Sequence, residues 1–307
     1  MLVVIGALVP VFVLIVLGYG FHRRGFPGQS FWPAVERLIY FVLFPALLID
    51  SLAGAELDSL EVAPMAAALI AATLLVSGLL MGLRPYLRVD GPAFASIFMG
   101  ATRFNTYVGI GAAGALYGDA GLTLAAVTIA VLVPLVNLLS VLVLVAAVPG
   151  APGAPSGLAR ALGELIRNPL ILGSAVGIGL NVSGIGPLPV AGPVIGVLGQ
   201  AALPLGLLAV GAGLDARELE RGAGALASAT VLKLVIMPGA MILTCAMFGV
   251  GGLTAKVAIL FAALPGATTA YILARQMGAD APLMANIITV TTVVAALTMP
   301  AVLAWFG

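Results

Sequence analysis

Two basic side chains lie deep inside apolar stretches of the sequence, where charge is rare. Arg103 lies about 11 residues into the stretch 92–117, or about 16 Å along a helix that rises about 1.5 Å per residue, near the middle of a bilayer. Lys233 lies at the same depth in the stretch 223–248. A charge at that depth costs about 2.5–3.5 kcal/mol or more, so both are candidates for binding an anion. For Arg103, the competing interpretation is that backbone carbonyls at a helix break satisfy the guanidinium.

Pro265 and Gly266 interrupt the apolar stretch 253–277 near its middle. Proline lacks the backbone N–H of a regular helix and leaves a carbonyl one turn earlier without its donor, while glycine tolerates the bend. Thr268 and Thr269 add two hydroxyl groups directly after the break. The end of an interrupted helix exposes N–H groups and partial positive charge, which favour an anion.

The equivalent part of the stretch 92–117 carries Asn105 and Thr106 beside Arg103. Paired interruptions in corresponding helices are the best sequence indicator of a binding site in a secondary transporter. Ordinary kinks and close-packing glycines explain one interruption well, but they explain two at equivalent places poorly. The predicted substrate-binding residues are Arg103, Asn105, Thr106, Asn137, Lys233, Pro265, Gly266, Thr268, Thr269 and Asn286. No catalytic residue, metal ligand or cofactor is predicted.

These interruptions belong to a pattern that is written twice in the chain. At an offset of 159 residues, four residues recur: Pro10, Gly18, Gly20 and Pro45 correspond to Pro169, Gly177, Gly179 and Pro204. At an offset of 160, the segment 103–106 lies over 263–266, and Gly118 lies over Gly278. Each copy contains an odd number of apolar stretches, so the two copies must enter a membrane in opposite directions. Such an inverted repeat is the architecture of secondary transporters.

The composition is that of a membrane protein. Of the 307 residues, 62% are hydrophobic and 8% are charged, against about 25% charged residues in soluble domains. The net charge of +1 provides no basic surface for nucleic acid, and the single cysteine, Cys245, excludes an intrachain disulfide. The chain starts with apolar residues and lacks a suitable cleavage site, so its first segment is interpreted as a retained span rather than a signal peptide.

Ten stretches are candidates for helices that cross a bilayer, which takes about 20 apolar residues. They are 2–21, 33–52, 62–83, 92–117, 122–148, 169–182, 193–214, 223–248, 253–277 and 282–305. The sixth is short by itself and is predicted to gain length from the amphipathic residues 158–167. The segment 149–157, rich in proline and glycine, is predicted to link a first five-helix repeat, 1–148, to a second, 158–307. The predicted fold class is an all-α integral membrane protein of ten transmembrane helices in two inverted repeats.

Basic residues alternate between the loops and predict the orientation of the chain. Arginines lie in or beside every second loop: Arg23 and Arg24, Arg84 and Arg88, Arg160 and Arg167, Arg217 and Arg221, and Arg275. The intervening loops hold Glu56, Asp58, Glu61 and Asp119, and only Lys256, at a span edge, is basic. By the positive-inside rule, the arginine-bearing loops are cytoplasmic and both termini lie outside. The expected location is the cytoplasmic membrane, which the chain crosses several times.

The sequence also resembles the auxin efflux carrier family, whose plant members are the PIN-formed proteins and whose bacterial members include organic acid permeases. The resemblance covers essentially the whole chain, and the order of its motifs is more specific than any one of them. The motifs are Asn105-Thr106-Tyr107-Val108, Ala262-Ala263-Leu264-Pro265, Ala274-Arg275, Asn168-Pro169, Lys233-Leu234 with Pro238, and Pro300. In two places the chain departs from the plant members, because Phe104 and Ala112 stand where they have prolines. The departures predict a gentler break in the fourth span and argue against auxin itself as the substrate.

The resemblance implies a fold of ten helices in which the fourth and ninth are interrupted and cross. Helices 1, 2, 6 and 7 would form a scaffold with a homodimer surface, and helices 3–5 and 8–10 would form a moving transport unit. It also implies that a small organic anion, a carboxylate, binds at the crossing and is carried by alternating access.

Other functional classes fit the sequence less well. The only histidine, His22, lies in a basic loop, so a serine–histidine pair or a histidine-bound metal within the membrane is excluded. A protease with two catalytic aspartates is disfavoured, because no second intramembrane aspartate accompanies Asp119. A cation antiporter is disfavoured because it needs carboxylates at mid-membrane, where this sequence has none. A sodium-coupled organic anion symporter of the bile acid type remains open, because neutral oxygens could hold the sodium ion. The candidate oxygens are those of Thr128, Asn137, Asn286 and Thr289.

Overall fold

The computed structural model describes residues 2–28, 30–55, 62–148, 167–214 and 223–306. The predicted linker at 149–157 and nearly all of the predicted amphipathic segment 158–167 lie outside these residues. The described chain is helical. Its α-helices are α1 (Leu2–Arg23), α2 (Phe31–Leu38), α3 (Phe44–Ala53), α4 (Val62–Leu87), α5 (Gly91–Thr102), α6 (Thr106–Ala147), α7 (Pro169–Val182), α8 (Ala191–Ala212), α9 (Ala223–Val231), α10 (Met237–Met247), α11 (Gly252–Ala262), α12 (Thr269–Met277) and α13 (Ala281–Phe306).

Several helical stretches have the length and composition of membrane spans. Six such stretches occur in the described part of the chain: Val4–Arg23, Val62–Leu87, Gly91–Ala147 (which a non-helical segment at 103–105 interrupts), Ala191–Ala212, Ala223–Met247 and Ala281–Phe306. Two shorter apolar helices, Pro169–Val182 and Gly252–Ala262, accompany them. Many of their large apolar side chains are exposed, for example Val197 at 68% and Leu297 at 78%. Apolar helices with exposed apolar faces are expected where the solvent is lipid rather than water.

Two of the predicted spans contain a widened turn followed by a proline. A π-helical segment, Ile39–Leu43, joins α2 to α3, and a second one, Leu232–Ile236, joins α9 to α10. Pro45 and Pro238 stand in the first turn of the helices that follow. A proline cannot donate the backbone hydrogen bond of a regular helix, so the turn before it is free to widen. The second π segment contains Lys233.

Two glycines that correspond at the sequence offset of 160 residues end helical segments. Gly118, with φ +60° and ψ −146°, interrupts α6, and Gly278, with φ +75°, ends α12. A residue without a side chain adopts positive φ without strain, so these turns suit glycine. In place of the loop expected between the spans 92–117 and 122–148, a sharp kink at Gly118 separates two helical segments of α6.

The chain forms two compact units, each assembled from parts of both halves of the sequence. The first unit contains 1–62, 106–131 and 166–213, and the second contains 63–105, 132–165 and 214–307. In the first unit α1 packs against α8, and α3 packs against α7 and α8. In the second unit α5 packs against α9 and α13.

The helices α1 and α8 approach backbone to backbone through glycines. A Cβ atom added to Gly18 would lie 2.0 Å from the carbonyl oxygen of Leu208, and one added to Gly211 would lie 1.8 Å from that of Ile15. Neither distance is possible between real atoms. Close packing through small residues is a common way for helices to associate in membranes, where lipid tails are as apolar as the helix.

We expect Gly18→Ala to destabilise the protein by about 1–2 kcal/mol. Overpacking costs about 1–3 kcal/mol, while alanine gains up to about 1 kcal/mol in helix propensity over glycine. Gly20→Ala is the matched control, because a Cβ at Gly20 meets no atom within 4 Å. The midpoint of thermal unfolding in detergent should fall for Gly18→Ala and stay level or rise for Gly20→Ala. Equal behaviour of the two variants would contradict the close approach at Gly18.

Candidate anion-binding site

The helix that carries Arg103 stops three residues before the next one starts. The last turn of α5 is complete, because the N–H of Arg103 donates to the carbonyl of Met99 at 2.9 Å and the hydroxyl of Thr102 donates to Phe98 O at 2.8 Å. Arg103 itself is extended, with φ −80° and ψ 148°. The helix α6 begins at Thr106. The chain is therefore not helical at 103–105, where the sequence predicts an interruption.

A second break separates α11 from α12. The helix α11 ends at Ala262, and α12 begins at Thr269 with Thr268 as its N-cap residue. Pro265 and Gly266 lie in the non-helical residues between them, and both are buried. The predicted interruption at Pro265 thus extends over six residues, about two turns of an α-helix, and is longer than the break at Arg103.

The two breaks are hydrogen-bonded to each other. The N–H of Asn105 donates to the carbonyl oxygen of Pro265 at 2.9 Å. The side chain of Asn105 is 1% exposed, and the ring of the adjacent Phe104 lies edge-on to that of Phe261 at 5.6 Å. A backbone donor and a backbone acceptor that lie outside helices satisfy each other, which a buried chain requires. This bond fixes the position of one break against the other.

A threonine of α13 also holds the second break. The N–H of Gly266 donates to the hydroxyl oxygen of Thr291 at 3.1 Å, and that hydroxyl donates to Ile287 O at 2.6 Å. Thr291 is fully buried. Thr291 was not among the residues predicted from the sequence, because a threonine in an apolar helix usually bonds only to its own backbone.

Glycine and serine keep α5 close to α13. A Cβ at Gly100 would lie 2.6 Å from the Cγ2 methyl of Ile287, the residue whose carbonyl accepts from the Thr291 hydroxyl. The hydroxyl of Ser96 donates to Asp280 O at 2.8 Å, and the side chain of Asp280 accepts from Leu283 N at 2.9 Å at the start of α13. These contacts hold the end of α5, and hence Arg103, against the helix that supports the second break.

The guanidinium of Arg103 lies between two neutral oxygens. Its Nη1 donates to Oδ1 of Asn137 at 2.7 Å, and its Nη2 donates to the hydroxyl oxygen of Thr269 at 3.4 Å. The side chains of Arg103, Asn137 and Thr269 are neither fully buried nor fully exposed. An amide and a hydroxyl orient the guanidinium through these hydrogen bonds, and neither group carries a negative charge.

Lys233 lies in the same unit and is 1% exposed, in the π segment that packs against α5 and α13. The hydrogen bonds and ion pairs among the described residues include none to its ammonium group. π-Helical turns are frequent at functional sites, and an isolated ammonium within a membrane is costly. The burial of Lys233 therefore makes it a second candidate cation, without a contact that ties it to Arg103.

The other predicted residues are distributed unevenly around these breaks. Asn286 is 3% exposed on α13, five residues before Thr291. Thr268 caps α12 without a side-chain hydrogen bond. Thr106 follows Asn105 in the chain but belongs to the first unit, whereas the remaining nine predicted residues lie in the second unit.

No group of three or more His, Cys, Asp or Glu side chains that could hold a metal ion occurs among the described residues. The side chains that form hydrogen bonds at the two breaks, Arg103, Asn137, Thr269 and Thr291, are cationic or neutral. A site of this kind can bind an anion through charge-assisted hydrogen bonds and helix N-termini.

Comparisons with known proteins agree with the description of the chain as a membrane protein. Residues 3–303 match the family described as membrane transport protein. A protein of Methanothermobacter thermautotrophicus, named an uncharacterized transporter, is 24% identical over 306 residues, which cover 94% of each chain. A protein of Rhizobium meliloti, provisionally named a malonate transporter, is 28% identical over 311 residues, which cover 97% of this chain and 94% of the relative.

The apolar helices and these relatives define a membrane transporter. The chain belongs to the membrane transport protein family, the auxin efflux carrier family that its sequence resembles. The resemblance found in the sequence motifs is thus confirmed over nearly the whole chain.

Proposed function

We propose that the protein is a secondary transporter that carries a small organic anion, a carboxylate, across the cytoplasmic membrane. The observation that carries the proposal is the guanidinium of Arg103, held at 2.7 Å by Asn137 and at 3.4 Å by Thr269, beside two bonded helix breaks. A carboxylate that approaches this guanidinium meets a fixed cation in a poorly hydrated place, where charge-assisted hydrogen bonds are strong.

The N-terminus of α12 supports the same proposal. Thr269, its first residue, contacts Arg103, so the partial positive charge of the helix start and the charge of the guanidinium lie together. Both favour negative charge. Asn105, Pro265, Gly266 and Thr268 then provide the remaining backbone and side-chain groups of the proposed site.

The transport mechanism that we propose is alternating access. The repeat in the sequence, with breaks and glycine turns at corresponding residues of the two copies, supports an inverted repeat of ten helices. In this arrangement the interrupted fourth and ninth helices cross at mid-membrane, and the transport unit moves against a scaffold that forms a homodimer. The alternation of arginine-bearing loops supports cytoplasmic residues 149–168 and external termini. Labelling of cysteines introduced near Gly153 and Gly307 from the same side would refute that orientation.

Malonate is the first substrate to test, because one relative is provisionally named for it. A dicarboxylate brings two negative charges at neutral pH. Arg103 would supply one positive charge, and Lys233 would supply a second in the same unit. Lys233 thus gives a reason to expect a dicarboxylate to bind more tightly than a monocarboxylate of the same length.

A ligand screen by thermal unfolding tests the proposal. Malonate should raise the unfolding midpoint of the purified protein, propionate should raise it less, and neutral malonamide should leave it unchanged. A ligand at about 100 times its Kd stabilises the folded state by about 2.7 kcal/mol. If no mono- or dicarboxylate raises the midpoint above an equal ionic strength of chloride, the proposed substrate class is wrong.

The same screen in sodium and in potassium buffer separates the remaining alternative. Stabilisation by a carboxylate only in sodium would identify a sodium-coupled symporter of the bile acid type. The bond from Arg103 to Asn137 argues against a sodium ion at that amide, because its oxygen already accepts from a cation. We therefore expect carboxylate binding that is independent of sodium.

A further inference from the structure

A groove of about 370 Å³ lies on the second unit between α4, α5 and the C-terminal part of α6. This volume is within the range of about 300–1,000 Å³ for ligand pockets. Its walls are mainly aliphatic and aromatic. Leu74, Met81 and Leu142 line it and are 47%, 45% and 44% exposed. Neither Arg103 nor any other predicted substrate-binding residue lines the groove.

Two polar side chains interrupt the apolar lining. The hydroxyl of Ser77 is buried in the wall of the groove, and it has no hydrogen-bond partner within the described residues. The side chain of Arg84 lines the groove near the end of α4, where its guanidinium carbon lies 5.1 Å from the ring centre of Phe94. Contact with an aromatic face holds an arginine in place without neutralising its charge. The groove therefore has apolar walls, the positively charged Arg84 near the end of α4, and the buried hydroxyl of Ser77 as a hydrogen-bond donor.

We propose that this groove binds an anionic phospholipid, with an acyl chain along the apolar walls and the phosphate on Arg84. A guanidinium binds a phosphate with two parallel hydrogen bonds. A lipid ester carbonyl is an acceptor for the Ser77 hydroxyl, which a hydrocarbon chain alone would leave unsatisfied. Positive charge at the membrane edge attracts anionic lipids, and an anionic headgroup contains no ammonium of its own to compete for its phosphate.

Native mass spectrometry of the protein in detergent measures this binding directly. The probes are phosphatidylglycerol and phosphatidylcholine with the same acyl chains. We expect phosphatidylglycerol to be retained in preference to phosphatidylcholine. Equal retention of the two would show that the groove takes any acyl chain, and would overturn the assignment of the phosphate to Arg84.

An arginine pair tests the headgroup contact. Arg84→Gln should weaken binding of phosphatidylglycerol about fivefold, the equivalent of the contribution of one basic residue at an anionic surface. Arg88→Gln is the matched control, because Arg88 is exposed one turn further along the chain and does not line the groove. If both variants weaken binding equally, general surface charge explains the preference and the site is refuted.

A glycine pair tests the acyl-chain contact. A Cβ at Gly78, which lines the groove, meets no atom within 4 Å, so Gly78→Leu should fold and fill the channel. Gly82→Leu is its control, since Gly82 has the same open space but does not line the groove. Gly78→Leu should reduce retention of phosphatidylglycerol at least fivefold, and Gly82→Leu should not. Unchanged retention of phosphatidylglycerol in Gly78→Leu would contradict the proposal. Loss of a dimer in this variant, with the lipid still bound, would contradict it as well.

Discussion

Replacement of Arg103 by glutamine is expected to weaken malonate binding by about 10- to 150-fold in protein that still folds. A hydrogen bond to a charged group contributes about 1.5–3 kcal/mol, and each 1.4 kcal/mol corresponds to about a factor of ten in Kd. Glutamine removes the charge and is also shorter than arginine, so it loses the contacts that Arg103 makes with Asn137 and Thr269 at 2.7 and 3.4 Å. The polar amide remains at the break, which favours a folded protein over an apolar replacement.

Two further substitutions sharpen this prediction. Arg103→Lys should recover only part of the affinity, because an ammonium lacks the planar fork of a guanidinium. Asn137→Asp should place a carboxylate at the oxygen that now accepts from Arg103. An internal carboxylate would neutralise the guanidinium, so the folded protein should be preserved while malonate binding falls at least as much as in Arg103→Gln.

The yield of folded protein and the affinity of what folds must both be measured. If Arg103 only supports the fold at the break, Arg103→Gln should lose folded protein, and the remainder should bind malonate with unchanged affinity. Arg88→Gln controls for the loss of one positive charge elsewhere in the chain. Unchanged affinity in well-folded Arg103→Gln would leave Asn105, Thr268 and the helix ends as the whole proposed site.

The positions of the two breaks could be predicted because single residues mark them in the sequence. Pro265 removes a backbone donor from its own turn, and Arg103 marks the other break as a charge in an apolar stretch. Both effects are visible in a few neighbouring residues. A special residue at Gly118 was also indicated by the sequence, because Gly118 corresponds to Gly278 at an offset of 160 residues. The sequence suggested a loop at this place, whereas the structure has a kink.

The partners of the break residues could not be predicted because they depend on packing between distant helices. Asn137 was a candidate as a polar residue in an apolar stretch, but nothing in its neighbourhood indicates a bond to Arg103. Thr291 stands beside Thr292 on α13, and both are buried. Which of these two hydroxyls accepts the hydrogen bond from Gly266 N–H depends only on how the second break packs against α13. The π segment around Lys233 could not be predicted either, because its apolar residues follow the pattern of an ordinary helix.

Thr291→Val is expected to destabilise the protein by about 1–3 kcal/mol, the cost of leaving a buried hydrogen-bonding group without its partner. Valine has nearly the shape of threonine, so the change removes only the oxygen that accepts from Gly266 N at 3.1 Å. Thr292→Val is the matched control, because the hydroxyl of Thr292 donates to Ile288 O at 2.7 Å within its own helix. Loss of such a bond leaves a carbonyl that the helix backbone can still satisfy, so the control should change stability by less than about 0.5 kcal/mol.

Thermal unfolding in detergent and malonate affinity should be measured together for both valine variants and for Thr291→Ser. Serine keeps the hydroxyl, so it should retain most of the stability that valine loses. Because the Gly266 bond fixes the break that faces Arg103, Thr291→Val should also weaken malonate binding, whereas Thr292→Val should not. Equal losses in the two valine variants would show that the bond to Gly266 contributes nothing, and would leave the bond from Asn105 N to Pro265 O as the contact that positions the second break.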